Sequence, residues 1–181
     1  MRLAVLLGIV ILASASVATA ADPLKGDSKK TVQPSVPLSG EEPYAALRRG
    51  DFRVAAALFL PLAEKGDDQA QYNLGLLYAS GLGVMHDFKA AMKWHRLAAG
   101  QGHAGAQNAL AQIYAKGHGV PENTVLAHMW YSVAIESSMA GSKDELMRDR
   151  DNLVSRMTPA QIRKAEELAQ KCLESKFKKC D

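Results

Sequence analysis

The sequence is short of cysteine, of long hydrophobic runs and of net charge, and each shortage excludes a class of protein. Its only cysteines are Cys172 and Cys180, and the lack of one near residue 20 argues against a lipid-anchored form. After the first 20 residues no apolar run is long enough to cross a bilayer. The formal net charge of +3 argues against a dedicated nucleic-acid binder.

The first 40 residues have the composition of a targeting segment followed by a linker. A basic start and the short apolar run Leu3–Ala13 precede Ala18-Thr19-Ala20, a small-residue pattern that signal peptidase reads. We therefore expect a signal peptide at residues 1–20, cleavage after Ala20, and a periplasmic or secreted protein; the alternative is an uncleaved anchor. Residues 21–40 are rich in proline and polar residues, which predicts a disordered linker.

An exported pair of cysteines favours a disulfide between Cys172 and Cys180. Eight residues of continuous helix would separate the two Cα atoms by roughly 12 Å, whereas bridged Cα atoms lie below roughly 7 Å. A bridge therefore requires the last helix to end near Ser175 and the tail to fold back. The alternative is two free thiols on a frayed tail.

Two stretches of the chain, Asp67–Gly102 and His103–Ser138, match each other at an offset of 36 residues. A repeat of this length indicates stacked supersecondary units that bury a core only together. The matched pairs are Ala70/Ala106, Gln71/Gln107, Leu74/Leu110, Tyr78/Tyr114, Ala79/Ala115, Gly81/Gly117, Gly83/Gly119, Val84/Val120, Ala91/Ala127, Trp94/Trp130 and Ala98/Ala134.

Helical periodicity and capping residues divide each repeat into two helices. In the first copy, Asp67–Ser80 has an apolar face of Ala70, Leu74, Leu77 and Tyr78. A glycine loop follows, and Asp87 caps a second helix. The inner stripe predicted for that second helix consists of Ala90, Ala91, Trp94, Leu97 and Ala98.

The segments on either side of the two copies are helical as well. A degenerate first unit contains a short helix Tyr44–Arg49 and a helix Phe52–Lys65 capped by Asp51, so that the predicted solenoid covers residues 43–138. Residues 143–181 are predicted to form capping helices: Asp144–Met157, and a helix that starts at the capping box Thr158-Pro159-Ala160-Gln161.

These residues resemble the Sel-like repeat family, a branch of the tetratricopeptide-like α/α repeats. The first copy carries its pattern in full: Ala70, Leu74, Gly75, Tyr78, Gly81, Gly83, Val84, Asp87, Ala91, Trp94 and Ala98. The second copy departs from it at Ala111 and Asn123. The resemblance implies an all-α solenoid of short helix pairs with a C-terminal helical cap.

In such stacks the first helix of each unit lines a concave face, and this resemblance supplies the candidate binding surface. It places Gln69, Tyr72, Leu76 and Ser80 of one repeat, and Asn108, Gln112 and Lys116 of the next, toward a groove. Amides beside Tyr and Leu suit an extended peptide, which needs hydrogen bonds and apolar pockets. The alternative is a plain solvated surface.

Other motifs have simpler explanations than catalysis or ligand binding. Trp94 and Trp130 recur on the apolar stripe and are interpreted as core residues. The five histidines, among them His95 and His103 beside one turn, show no metal-ligand spacing, so neither a metal nor another cofactor is predicted. Ser175-Lys176-Phe177-Lys178 fits the S-x-x-K pattern, but the companion S-D-N and K-T-G motifs are absent.

The sequence thus predicts a non-enzymatic, exported repeat protein that binds a protein or peptide partner in its groove as an envelope adaptor or regulator. Nucleic acid and stable membrane insertion after signal cleavage are not expected. The alternative is a β-lactam-binding or hydrolytic enzyme of the exported Sel-like type.

Overall fold

The computed structural model describes residues 42–180, which form eight α-helices and one short 3₁₀ turn. The predicted signal peptide and linker lie outside these residues. The helices are α1 (Pro43–Arg49), α2 (Phe52–Glu64), α3 (Asp68–Ser80), α4 (Phe88–Ala99), α5 (Ala104–Lys116), α6 (Thr124–Ser137), α7 (Lys143–Val154) and α8 (Pro159–Glu174), with the 3₁₀ turn Ala140–Ser142 before α7.

The helices stack in chain order, each packing on the next from α1 to α6, and both α7 and α8 then pack on α6. This arrangement confirms the predicted all-α solenoid, because α1 to α7 each pack against a neighbour in sequence and α8 covers α6 at the end of the stack. None of the helices within residues 42–180 is long and apolar enough to span a membrane.

The glycine loops and polar caps form as the sequence predicts. Gly81 and Gly117 end α3 and α5 with φ of 68° and 67°, a left-handed conformation that glycine adopts without a Cβ penalty. The side chain of Asp87 accepts hydrogen bonds from the backbone N–H groups of Lys89 and Ala90, and Asn123 accepts one from Leu126. These bonds satisfy donors that a helix start leaves free.

The buried face of α3 is the predicted one, whereas that of α4 is rotated. Ala70, Leu74, Leu77 and Tyr78 are all buried. On α4 the prediction for Leu97 is wrong, since this side chain is 45% exposed, and Trp94 is only partly buried. Because α4 packs against both α3 and α5, its buried residues are Ala91, Met92, His95, Ala98 and Ala99.

One predicted capping bond and one predicted helix end are wrong. The side chain of Asp51 precedes α2 but forms no capping bond; its carboxylate accepts a hydrogen bond from Arg49 Nε at 2.9 Å instead. Helix α7 ends at Val154 and not at Met157, because the backbone closes into turns in which the N–H groups of Arg156 and Met157 donate to Leu153 and Val154.

The end of the chain has the fold-back that a disulfide requires. Helix α8 starts with a capping box, in which Thr158 and Gln161 exchange two hydrogen bonds, and it ends at Glu174. The tail then reverses, and Cys172 and Cys180 form a disulfide with their Cα atoms 4.4 Å apart. Helix α8 packs on α6 through Ala165, Ala169 and Cys172, so this end of the stack is covered.

Candidate functional site

Five of the seven residues predicted to line the groove divide between two clefts beside α3 and α5. The first, which we call the serine cleft, has a volume of about 520 Å³ and contains Gln69 and Asn108 of the predicted set. The second, the lysine cleft, has about 230 Å³ and contains Leu76, Gln112 and Lys116. The two helices therefore carry polar openings near both of their ends.

Tyr72 and Ser80 line neither cleft. The ring of Tyr72 stacks on the imidazole of His103, with centroids 4.5 Å apart, and also contacts His95. A Cβ added to Gly105 would lie 3.1 Å from Tyr72 Cζ, so glycine there leaves room for this ring. The hydroxyl of Ser80 donates to the carbonyl of Leu76 at 2.7 Å, so its hydrogen bond is made within α3.

His103 is the residue that links helix capping to the serine cleft. Its Nδ1 accepts a hydrogen bond from the N–H of Ala106 at 3.1 Å, which caps α5. An accepting Nδ1 carries no proton, so the neutral ring carries its proton on Nε2. This Nε2 is buried and has no hydrogen-bond partner within residues 42–180. The cleft is therefore lined by a residue with an unused donor.

A single difference between the repeats creates further unused polar atoms here. Gln71 and Gln107, 36 residues apart, are both buried and donate to the carbonyls of Ala63 and Ala99. In the first repeat Gln101 Nε2 also donates to Gln71 Oε1 at 2.9 Å.

In the second repeat the residue equivalent to Gln101 is Ser137. Its side chain is two atoms shorter than that of glutamine. Gln107 Oε1 and Ser137 Oγ are both buried and without a partner in the described part of the chain. Ser137 lines the serine cleft together with His103. The shorter side chain therefore leaves both a donor and an acceptor that solvent or a ligand must satisfy.

The two clefts differ in charge. Asp68 and Glu145 line the serine cleft, and no lysine or arginine of residues 42–180 does. The lysine cleft has Lys116 in its wall and no acidic residue from the same part of the chain. The surface along α3 and α5 is therefore negative at one end and positive at the other.

His95 lines the lysine cleft from the core side. It is 1% exposed, and burial, followed by the charge of His103, lowers its pKa to about 4. The imidazole fits because position 75 is glycine: a Cβ there would lie 2.5 Å from His95 Cε1. His95 is therefore neutral at pH 7 and a structural part of the wall.

The remaining candidate motifs occupy other places. No three His, Cys, Asp or Glu side chains of residues 42–180 are grouped so as to hold a metal ion. The hydroxyl of Ser175 donates to the carbonyl of Cys172 at 2.8 Å and accepts from the N–H of Lys179 at 2.9 Å. These two bonds use Ser175 to shape the tail, and this geometry does not favour it as a nucleophile.

The sequence reasoning missed His103 and Ser137 as cleft residues. The signal for Ser137 was present, since the 36-residue alignment pairs it with Gln101. The unused donor of His103 depends on the capping bond of its other nitrogen, which composition and spacing do not show.

Comparison with known proteins identifies the class. Residues 68–103 and 104–138 each match the family model described as "Sel1 repeat". The fold is that of a Sel-like repeat (SLR) solenoid, and residues 68–138 form two Sel1 repeats. Repeats of this family commonly mediate protein interactions. Among curated proteins the chain has no match.

Two solved structures are similar to the chain. One is c5321, described as a protective antigen of uropathogenic Escherichia coli strains with an SLR fold: identity is 28% and the TM-score is 0.66 over 75% of this chain. The other is a Sel1 repeat protein from Oxalobacter formigenes, with 29% identity and a TM-score of 0.51 over 64% of this chain. The matches span only 30% and 49% of those proteins.

Proposed function

We propose that the protein binds an extended segment of a partner protein along α3 and α5, from the serine cleft to the lysine cleft. The observation that carries this proposal is the pair of unused buried atoms on residues that line the serine cleft, which are His103 Nε2 and Ser137 Oγ. A peptide backbone offers both carbonyl acceptors and N–H donors, and so can satisfy such a set.

The dimensions and charges of the surface support the same occupant. A helix of 13 residues such as α3 is about 20 Å long, which an extended segment of about six residues spans. Asp68 and Glu145 at one end favour a basic side chain of the partner, and Lys116 at the other end favours an acidic one. These charges would also orient the segment.

The location and the biological role belong to the same proposal. The disulfide between Cys172 and Cys180, together with the signal-peptide pattern of residues 1–20, supports a periplasmic or secreted protein. The similarity to an SLR-fold protective antigen is compatible with such a location. An adaptor or regulator of the cell envelope, acting by binding and without chemistry of its own, is the role that fits best.

Photo-crosslinking tests this proposal. A photoreactive amino acid replaces Gln69 in the serine cleft, and a control carries it at Gln170, which is exposed on α8. We expect a partner from an envelope extract to crosslink at position 69 only. Identical products at both positions would contradict a binding site in this cleft.

A second variant fills the cleft with a longer side chain. In Ser137→Gln the new side chain can donate to Gln107 Oε1, as Gln101 does to Gln71, and it occupies space in the cleft. We expect the crosslink at position 69 to be lost while the fold is kept. The matched variant Gln101→Ser changes the equivalent residue of the other repeat and should leave the crosslink intact; its loss there would contradict the proposal.

A further inference from the structure

A second cavity, separate from the groove, lies under the folded-back tail. This tail cavity has a volume of about 390 Å³ and is bordered by α4, α6 and the residues after α8. Its lining includes Arg96, Trp130, Phe177, Lys178, Lys179 and Cys180. None of the groove residues contributes to it, so what it binds is independent of the function proposed above.

Trp130 lines the tail cavity and has an unused hydrogen-bond donor. The residue is 2% exposed, and its indole Nε1 is buried without a partner anywhere in residues 42–180. An indole N–H can only donate, and a buried donor without an acceptor costs about 1–3 kcal/mol. The equivalent residue Trp94 is only partly buried and has no such orphaned atom. An acceptor placed in the tail cavity would remove this cost.

The charges around the tail cavity have one sign. Arg96, Lys178 and Lys179 line it, and among residues 42–180 no acidic residue does. The guanidinium of Arg96 is held in place by a hydrogen bond that Nη2 donates to the hydroxyl of Tyr114 at 2.6 Å. Cations around a buried N–H donor provide the two features by which proteins recognise oxyanions, namely neutralising charge and directed hydrogen bonds.

The tail that carries the two lysines is locked in one conformation. Lys176 and Phe177 have φ of 52° and 65°, a left-handed backbone that non-glycine residues rarely adopt. The N–H of Phe177 donates to the carbonyl of Cys172 at 2.9 Å, and its ring contacts Gly102, where a Cβ would lie 2.9 Å from Phe177 Cε2. The disulfide closes the same loop. The two lysines are therefore presented at the cavity by a structured, disulfide-closed loop.

We propose that the tail cavity binds an oxyanion of the phosphate class. One oxygen accepts the hydrogen bond from Trp130 Nε1, and the ammonium groups of Lys178 and Lys179 neutralise the charge. Phosphate suits this site better than a carboxylate, because it has more acceptor oxygens and carries nearly two negative charges at pH 7.

The test uses the indole N–H signals of the two tryptophans in a ¹H–¹⁵N spectrum of the purified protein, assigned with a Trp94→Phe variant. Inorganic phosphate is titrated at constant ionic strength, with chloride as the balancing ion. We expect the Trp130 signal to shift with saturation and the Trp94 signal to stay in place. A Trp130 signal that does not move, or that chloride alone moves equally, would overturn the proposal.

Two double variants test the role of the charges. Lys178→Gln/Lys179→Gln should weaken phosphate binding about tenfold, since the loss of two nearby charges corresponds to roughly 1.4 kcal/mol. The control Lys164→Gln/Lys171→Gln removes the same charge from exposed positions of α8 that do not line the cavity. If both variants weakened phosphate binding equally, only the net charge of the protein would matter, and the proposal would be overturned.

Further arms of the experiment define the ligand. Acetate should bind more weakly than phosphate, and equal binding would overturn the phosphate class.

Because Asp181 directly follows Cys180 in the sequence, Asp181→Asn must bind phosphate at least as tightly as the parent, and weaker binding would also overturn the site. Sedimentation with phosphatidic acid vesicles that needs Lys178 and Lys179 would assign the phosphate to a lipid headgroup; phosphate binding without it would assign a free phosphate.

Discussion

The two Sel1 repeats have matching sequences but different surroundings. Helix α4 packs against α3 and α5, whereas α6 packs against α5 and also against α7 and α8. As a result Trp130 is 2% exposed while Trp94 is only partly buried, and Val133 is fully buried where the equivalent Leu97 is 45% exposed. Equivalent positions therefore share a helix face, and the following helices decide how deeply they are buried.

The hydrogen bonding of polar side chains differs between the repeats in the opposite sense to their burial. Gln101 completes the hydrogen bonding of Gln71 in the first repeat, while Ser137 leaves Gln107 incomplete in the second. The better packed repeat thus has most of the unused polar atoms: of the six buried side-chain atoms without a partner in residues 42–180, five lie in residues 103–138 and the sixth is His95 Nδ1. This combination is typical of a binding site, because a rigid scaffold can keep polar groups available for a ligand.

The largest expected difference concerns the two tryptophans. Trp130→Ala should lower the free energy of unfolding by about 3–5 kcal/mol, because a nearly fully buried side chain is removed. Trp94→Ala should cost about 2 kcal/mol, since its ring is only partly buried. Urea unfolding measures both losses, and equal losses would mean that α7 and α8 do not protect the second repeat.

The next difference is a pH dependence that belongs to the first repeat. His95 has a folded-state pKa of about 4, below the unfolded value of 6.5. Between these pH values the unfolded chain binds a proton that the folded protein does not, so stability falls by about 3 kcal/mol as the pH drops from 6.5 to 4.

Urea unfolding at several pH values measures this fall. His95→Gln should remove most of it, whereas His86→Gln, at an exposed position, should not. His103 lies close to His95 and His128 is buried elsewhere with a lowered pKa, so a residual slope is expected. An unchanged slope in His95→Gln would contradict the assignment.

A third comparison exchanges the small residues of α3 and α5. Gly75→Ala should destabilise the protein by about 1–3 kcal/mol, because the new Cβ would overlap the buried His95 ring. Ala111→Gly, at the equivalent position of the other repeat, should cost about 1–2 kcal/mol through backbone entropy and the loss of a buried methyl group, without any overlap. Thermal unfolding of the two variants checks this, and a stabilising Gly75→Ala would show that His95 can move away.

The smallest expected effect is a stabilisation. Ser137→Gln should raise the free energy of unfolding by about 1 kcal/mol, because one hydrogen bond to Gln107 is gained. Gln101→Ser should lower it by about the same amount, since Gln71 then loses its partner. Differential scanning calorimetry of the pair measures both shifts, and a destabilising Ser137→Gln would show that the glutamine cannot reach position 107.

Much of the fold follows from short stretches of sequence. The helix starts at Asp87 and Thr158, and the helix end at Gly81, were predicted from single residues, since a cap satisfies backbone groups within its own turn. The buried stripe of α3 followed from its periodicity. The stripe of α4 did not, because the burial of Met92 and His95 depends on how α3 and α5 pack against this helix.

The candidate site was predictable only in outline. The repeat pattern pointed to the faces of α3 and α5, and five of the seven predicted residues line a cleft. Their division into a negative and a positive cleft, and the unused atoms of His103 and Ser137, were not predictable. These properties depend on which side chains meet across helices and on whether each reaches its partner.

The sequence by itself thus determined the repeat, the helix order, the caps and the fold-back that a disulfide requires, because hydrogen bonds within a turn and the helical period are local. Only the tertiary structure decided that His95 is buried against Gly75, that Leu97 is exposed, and that Trp130 has an unused N–H under the tail. The physical reason is that burial and hydrogen-bond satisfaction depend on groups brought together from distant parts of the chain.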